Sequence, residues 1–145
     1  MSKPQVTSKP QGTAPLVAIE NLTVRFRGAQ TVHAVNGVSL TLEPGKVLGI
    51  LGESGSGKSV TLKTLLRLLP ESRTDIGGSV RVDGRDVLAL NPQDLSDYRG
   101  AVTSMIFQDP ALALDPVYTV GEQIAEAIVR HEKLSKKAAM ARALE

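Results

Sequence analysis

A chain of 145 residues, 41% hydrophobic and 22% charged, has the size and composition of an ordinary globular domain rather than of a disordered segment. Its net charge of +2 and the lack of any dense Lys/Arg stretch argue against a nucleic-acid partner, and its zero cysteines exclude disulfides, thiolate metal sites and cysteine nucleophiles together. No apolar run reaches the ~20 residues that cross a bilayer, so any membrane role is expected to be peripheral and to go through a partner.

Residues 1–15, rich in Pro, Gln, Ser, Thr and Lys and without an apolar stretch of signal-peptide type, are expected to be a disordered tail. Ordered pattern begins near Leu16. Leu22, Val24 and Phe26 alternate with Thr23, Arg25 and Arg27, the period of a half-buried strand, and Val38, Leu40 and Leu42 alternate likewise with Ser39, Thr41 and Glu43. Pro44-Gly45 marks a turn. Residues 46–51 then form a nearly continuous apolar run (Val47, Leu48, Ile50, Leu51), which predicts a strand covered on both faces, as in a parallel sheet.

A glycine-rich stretch follows, and Gly52-Glu53-Ser54-Gly55-Ser56-Gly57-Lys58-Ser59 matches G-x-x-x-x-G-K-[ST] in full. The residue types answer to what a triphosphate demands. Glycines let the backbone curl so that its N–H groups point at phosphate oxygens, and the helix that starts here adds partial positive charge at its N-terminus. Lys58 supplies a full charge to the outer phosphates, and Ser59 a hydroxyl to the accompanying Mg2+. A glycine-rich turn without a ligand is the bland alternative; the buried-type run before it and the helical pattern after it weigh against that.

Leu62, Leu65, Leu66 and Leu69 fall on one face of a helix that Pro70 is expected to stop. Val80 and Val82 lead into Asp83-Gly84, a hairpin signal. A short helix is predicted around residues 93–98 and an apolar segment around 102–107. Thr119 and Glu122 make a capping box for a helix carrying Val120, Ile124 and Ile128. A last helix starts after Ser135 and has no Gly, Asn or Pro to close it, which suggests a fragment.

The residues around the loop decide among phosphate-loop proteins. Val35-Asn36-Gly37-Val38-Ser39-Leu40, then Pro44-Gly45 and the loop, resemble the opening of ABC-type ATPases, and Phe107-Gln108-Asp109-Pro110 resembles their Q-loop. The string from Met105 through Asp115-Pro116 to Val120-Gly121-Glu122-Gln123 is similar to one branch, the ATPases of oligopeptide, dipeptide and nickel importers. The resemblance covers roughly residues 16–145 and implies an α/β fold of the P-loop NTPase class. The chain would be the N-terminal part of an ABC-type nucleotide-binding domain, truncated after the Q-loop and the start of the helical subdomain.

The resemblance also implies roles. Gly52, Glu53, Ser54, Gly55, Ser56, Gly57, Lys58, Ser59 and Val60 would hold ATP. Phe26 would stack on the adenine, against the plainer reading of a core phenylalanine. Gln108 would join Lys58 in catalysis, reaching the attacking water and, with Ser59, the Mg2+; an amide can both donate and accept there. Residues 111–118 would lie near transmembrane permease subunits. The implied partners are ATP, a second ATP-binding subunit, the permeases and, indirectly, an external substrate-binding protein, at the cytoplasmic face of the inner membrane, with a peptide, or alternatively nickel, as the cargo.

His33 and His131 tempt a general-base reading, but the family's switch histidine lies beyond position 145, so both are expected to face solvent, as are Arg25, Arg27 and Arg130. Two family elements are absent from the sequence: an apolar run ending in Asp-Glu, and a Leu-Ser-Gly-Gly-Gln-like signature, for which Ile76-Gly77-Gly78-Ser79 comes too early. This polypeptide is therefore expected to bind nucleotide with negligible turnover. The rival readings are a non-catalytic nucleotide-binding piece, which that absence favours, and a phosphate-loop kinase or DNA-associated ATPase, which the Phe-Gln-Asp-Pro segment opposes.

Overall fold

The computed structural model describes residues 14–109 and 113–144. The predicted tail thus lies, over residues 1–13, outside the described residues. The chain divides into two compact units, Met1–Ala89 and Leu90–Glu145, and among the described residues no helix is long and apolar enough to cross a membrane.

The first unit is built on an antiparallel sheet of order β2-β1-β3-β4, with β1 at Val17–Phe26, β2 at Val32–Leu42, β3 at Thr74–Val82 and β4 at Arg85–Asp86. Ile19, Leu22 and Val24 of β1 are buried with Val35, Val80, Val82 and Val87. The inward set changes parity between Ile19 and Leu22, which a regular strand cannot do, since side chains alternate with period 2. A bulge makes the change: Asn21 sits at φ +49, and the register shifts there against both neighbouring strands. The displaced Asn21 N–H donates to Ser39 Oγ at 2.9 Å. Opposite, Gly78 (φ +88) lets β3 approach; a Cβ there would lie 2.5 Å from the carbonyl oxygens of Glu20 and Asn21. Asp83 and Gly84, both at positive φ, close the predicted β3–β4 hairpin.

Two expectations in this unit are corrected. Residues 46–51 form no strand: Val47 is 98% and Leu51 95% exposed, and none of the described strands pairs with them. A parallel ladder needs a second strand fed by a crossover, and the sheet of this unit is wholly antiparallel. The helix after the loop, α1 (Lys58–Leu65), ends before Pro70 is reached, because Arg67 turns to φ +49 and Leu68 N–H closes back on Lys63 O at 2.9 Å. Its buried positions are Thr61 and Thr64, while Leu62 faces outward. The threonine hydroxyls donate to the carbonyls of Gly57 (3.1 Å) and Val60 (2.8 Å), so their burial leaves no polar atom unsatisfied.

The second unit is helical: α2 (Pro92–Ala101), α3 (Val120–Glu132) and α4 (Lys136–Arg142). Each has a side-chain cap, from Asn91, Thr119 and Ser135 respectively. Regular helix in α2 stops at Tyr98, since Arg99 (ψ 119) and Gly100 (φ +94) leave helical space. A Cβ at Gly100 would sit 2.5 Å from the exposed His131 ring on α3, so a side chain there would need that ring to swing aside. Tyr98 is fully buried, and burial pushes its hydroxyl pKa up against the opposing hydrogen bond with Thr103. The apolar segment at 102–107 makes only an isolated bridge, Thr103 to Arg99, and leaves Ile106 and Phe107 exposed.

Candidate phosphate-binding site

The loop from Gly52 to Ser59 lies in the first unit, between the irregular run at 46–51 and α1. Gly55 (φ +81) and Gly57 (φ +89) take backbone conformations that residues with a Cβ rarely adopt. Gly57 is buried against β2: a Cβ added to it would lie 2.4 Å from Ala34 O and 3.2 Å from Val35 Cγ2. It is also the N-cap of α1, and as a glycine it offers no side chain to the first turn.

This leaves donors over. Among the described residues, no hydrogen bond uses the backbone N–H of Ser54, Gly55, Gly57, Lys58, Ser59 or Val60. A helix start normally has such orphan groups satisfied by a cap, by water or by a ligand. Here they belong to an exposed loop whose only cation bonds back onto it: Lys58 Nζ donates to Gly52 O at 2.7 Å, Glu53 O at 2.6 Å and Ser56 Oγ at 3.2 Å. Curled N–H groups, the positive end of α1 and an ammonium together make a field suited to an anion.

The same loop can be tested for a divalent ion. Among the described residues no group of three or more His, Asp or Glu side chains could hold a metal by itself. Ser59 is exposed at the start of α1, and its hydroxyl takes no partner among the described residues. A hard cation with oxygen ligands, brought in with a phosphate, fits that single hydroxyl.

The other candidate residues are spread out. Phe26 closes β1 in the same unit, half-buried, between Val32 of β2 and Thr74 of β3. Gln108 belongs to the second unit, exposed in a bend that follows exposed Ile106 and Phe107. Pro110 and residues 111–112 of the segment expected near a permease lie outside the described residues. His33 and His131 are exposed, as expected. Arg27 and Arg130 face solvent as expected, Arg27 beside Asp75 at 3.3 Å and Arg130 donating to Ser96 Oγ on α2.

The segment before α3 holds a residue whose work the sequence did not reveal. The Gln123 amide accepts from Asp115 N–H at 2.9 Å and donates to Asp115 O at 2.9 Å and Tyr118 O at 3.1 Å. An Asp-Pro turn a few residues ahead of a capping box, with an amide just after the box, is the signal that could have found it. The capping box itself is complete: Glu122 accepts from Thr119 N–H (3.0 Å) and hydroxyl (2.8 Å), and Glu122 N–H donates back to Thr119 Oγ1 at 3.3 Å.

Those two bonds from Thr119 hold the Glu122 carboxyl below the ordinary carboxylate range, with a smaller pull from Lys136. A lowered folded-state pKa contributes stability that is complete above the unfolded carboxylate's value and lost as pH falls through the folded one. Acidification through the carboxylate range should therefore lower the protection factors of the Thr119 and Glu122 amides, their exchange measured relative to an unstructured chain at the same pH. Glu122→Gln, which keeps the cap geometry without the titration, should flatten that response; an equal acid sensitivity in this variant would refute the assignment.

Residues 35–145 match the protein-family model described as ABC transporter. The chain is 47% identical over 134 residues to the oligopeptide transport ATP-binding protein OppD of Mycobacterium tuberculosis, covering 91% of this chain and 22% of that protein. It is 46% identical to the putative peptide import ATP-binding protein BMEII0206 of Brucella melitensis (92% and 40% covered) and 44% identical to the dipeptide transport ATP-binding protein DppD of Bacillus subtilis (86% and 38%). The chain thus spans less than half the length of these relatives. Among solved structures it superposes with a TM-score of 0.70 and 26% identity on the dimeric, post-hydrolysis ATP-binding cassette MJ0796 bound to ADP and Pi, covering 88% of this chain and 54% of that one.

Proposed function

We propose that this chain, which belongs to the ABC transporter family, carries the ATP-holding loop of an importer's ATPase subunit, with a peptide as the transported substrate. The support for peptide is that relatives at 44–47% identity are named for oligopeptide, dipeptide or peptide transport. One observation carries the binding role. Residues 52–59 match the phosphate-loop pattern in full and open α1, with six backbone N–H groups left without a protein partner and a lysine bonded to its own loop's carbonyls.

In this reading Gly52 to Val60 wrap the phosphates, and Lys58 exchanges its carbonyl contacts for the outer phosphate oxygens. Ser59 would hold Mg2+, which when bound neutralises charge on those phosphates. Phe26 would stack on adenine and Gln108 would orient the attacking water. The exposed segment 113–118 would meet a permease, and a second ATP-binding subunit would complete the site. An external binding protein would deliver the peptide, and the whole would sit at the cytoplasmic face of the membrane. Turnover belongs to the full-length protein: with no Asp-Glu at the end of an apolar run, this chain by itself lacks the carboxylate that phosphoryl transfer to water uses.

Titration of the chain with Mg·ATP, Mg·ADP and AMP tests this. ATP and ADP should bind and AMP should not, because the loop reads the β and γ phosphates; phosphate release should stay at background. Binding that fails to distinguish ATP from AMP would end the proposal.

A further inference from the structure

We infer that Gln123 is the positioning residue for segment 114–118, an inference that rests on the proposed permease-facing role of that segment. The segment exposes apolar side chains: Val117 is 82% and Tyr118 60% exposed, and Leu114 is exposed as well. A loop that shows apolar side chains to water while keeping a fixed shape needs its backbone held from elsewhere. Pro116 can donate nothing, and Asp115 Oδ1 takes the Val117 N–H at 2.9 Å. Tyr118 N–H donates to Asp115 O at 3.4 Å, and three further backbone groups go to one side chain. Gln123, in the first turn of α3, takes the Asp115 N–H and fills the carbonyls of Asp115 and Tyr118.

The chemistry of the clamp is selective. It asks for one acceptor and two donors on a single group, which an amide provides. A carboxylate would keep the acceptor and set negative charge against two carbonyls. A lysine would donate but not accept. Asparagine carries the same amide on a stem one methylene shorter. Because Gln123 stands beside the Thr119–Glu122 capping box, the segment and the start of α3 form one hydrogen-bonded piece. Force applied at Val117 and Tyr118 passes to the helix through that amide, not through slack chain.

The test uses the full-length protein, alone and assembled with its membrane subunits in nanodiscs. Gln123→Ala should lower assembly-stimulated ATPase activity about tenfold, the loss expected from a few backbone hydrogen bonds, while ATP affinity and basal ATPase of the isolated subunit stay within about twofold. Gln123→Glu, nearly isosteric, should be at least as damaging, and both should speed amide exchange at Val117. Full stimulation in both variants would overturn the inference. So would an equal fall in basal activity, or failure of both to fold, either of which would make Gln123 a general structural residue. Absence of stimulation in the unsubstituted protein would instead remove the permease reading itself, and the inference with it.

Discussion

Gly57→Ala should abolish ATP binding and cost the Met1–Ala89 unit roughly 2–4 kcal/mol. Two penalties meet at this residue. Its φ of +89 disfavours any side chain, and the Cβ would lie 2.4 Å from the carbonyl oxygen of Ala34. That neighbour is backbone in β2, so no rotamer can relieve the overlap; the start of α1 must move away from the sheet. The N–H groups of Lys58, Ser59 and Val60 move with it, which is why binding should suffer along with stability. Gly55→Ala provides the control. Its φ is +81 but nothing lies within 4 Å of the added Cβ, so it should show only the backbone term, about 1 kcal/mol. Denaturant midpoints and ATP titrations on both variants decide the matter. A Gly57 variant no worse than the Gly55 one would refute the close-approach argument.

Lys58→Ala should weaken ATP binding by about one to two orders of magnitude, the range for losing charge-assisted hydrogen bonds. The lysine has two duties that can be separated. It ties Gly52 O, Glu53 O and Ser56 Oγ into one loop, and in the proposed role its charge would turn to phosphate when nucleotide binds. Lys58→Met keeps the stem and removes both. Lys58→Arg keeps the charge, but spreads its donors over a planar fork that cannot match three acceptors around one nitrogen. Isothermal titration at two salt concentrations should show the alanine and methionine variants losing much of the salt dependence of the parent chain. An unchanged ATP affinity in the methionine variant would remove Lys58 from the site.

The parts of this fold legible in the sequence are those specified by residues close together. The β3–β4 hairpin followed from Asp83-Gly84, and the start of α3 from Thr119 and Glu122, because each device is complete within four residues. The phosphate loop was legible for the same reason. What escaped depends on partners far along the chain. The parity change in β1 needs Gly78 and Ser39 as well as Asn21. An apolar run such as 46–51 announces a wish for burial but does not supply the neighbour. On the face predicted for α1, Leu66 and Leu69 are buried as expected and Leu62 is not; the pattern missed Thr61 and Thr64, which can bury themselves by bonding one turn back. At the site, the identity of Lys58 could be read but not its inward fold, and Gln123 could be quoted but not assigned work, since its three acceptors and donors are backbone groups that carry no letter.

The uncovered run before the phosphate loop bears on how the protein behaves in a tube. Val47, Leu48, Gly49, Ile50 and Leu51 carry no charge and no proline, and among the described residues their backbone groups form no hydrogen bonds to one another or to the sheet. That is the profile of a segment that templates stacking between copies. Lys46 and Glu53 are the charges nearest to it, and they are its gatekeepers against such stacking. Any strand that covers the run, whether from the same polypeptide or added as a peptide, would act as a solubiliser as much as a structural element.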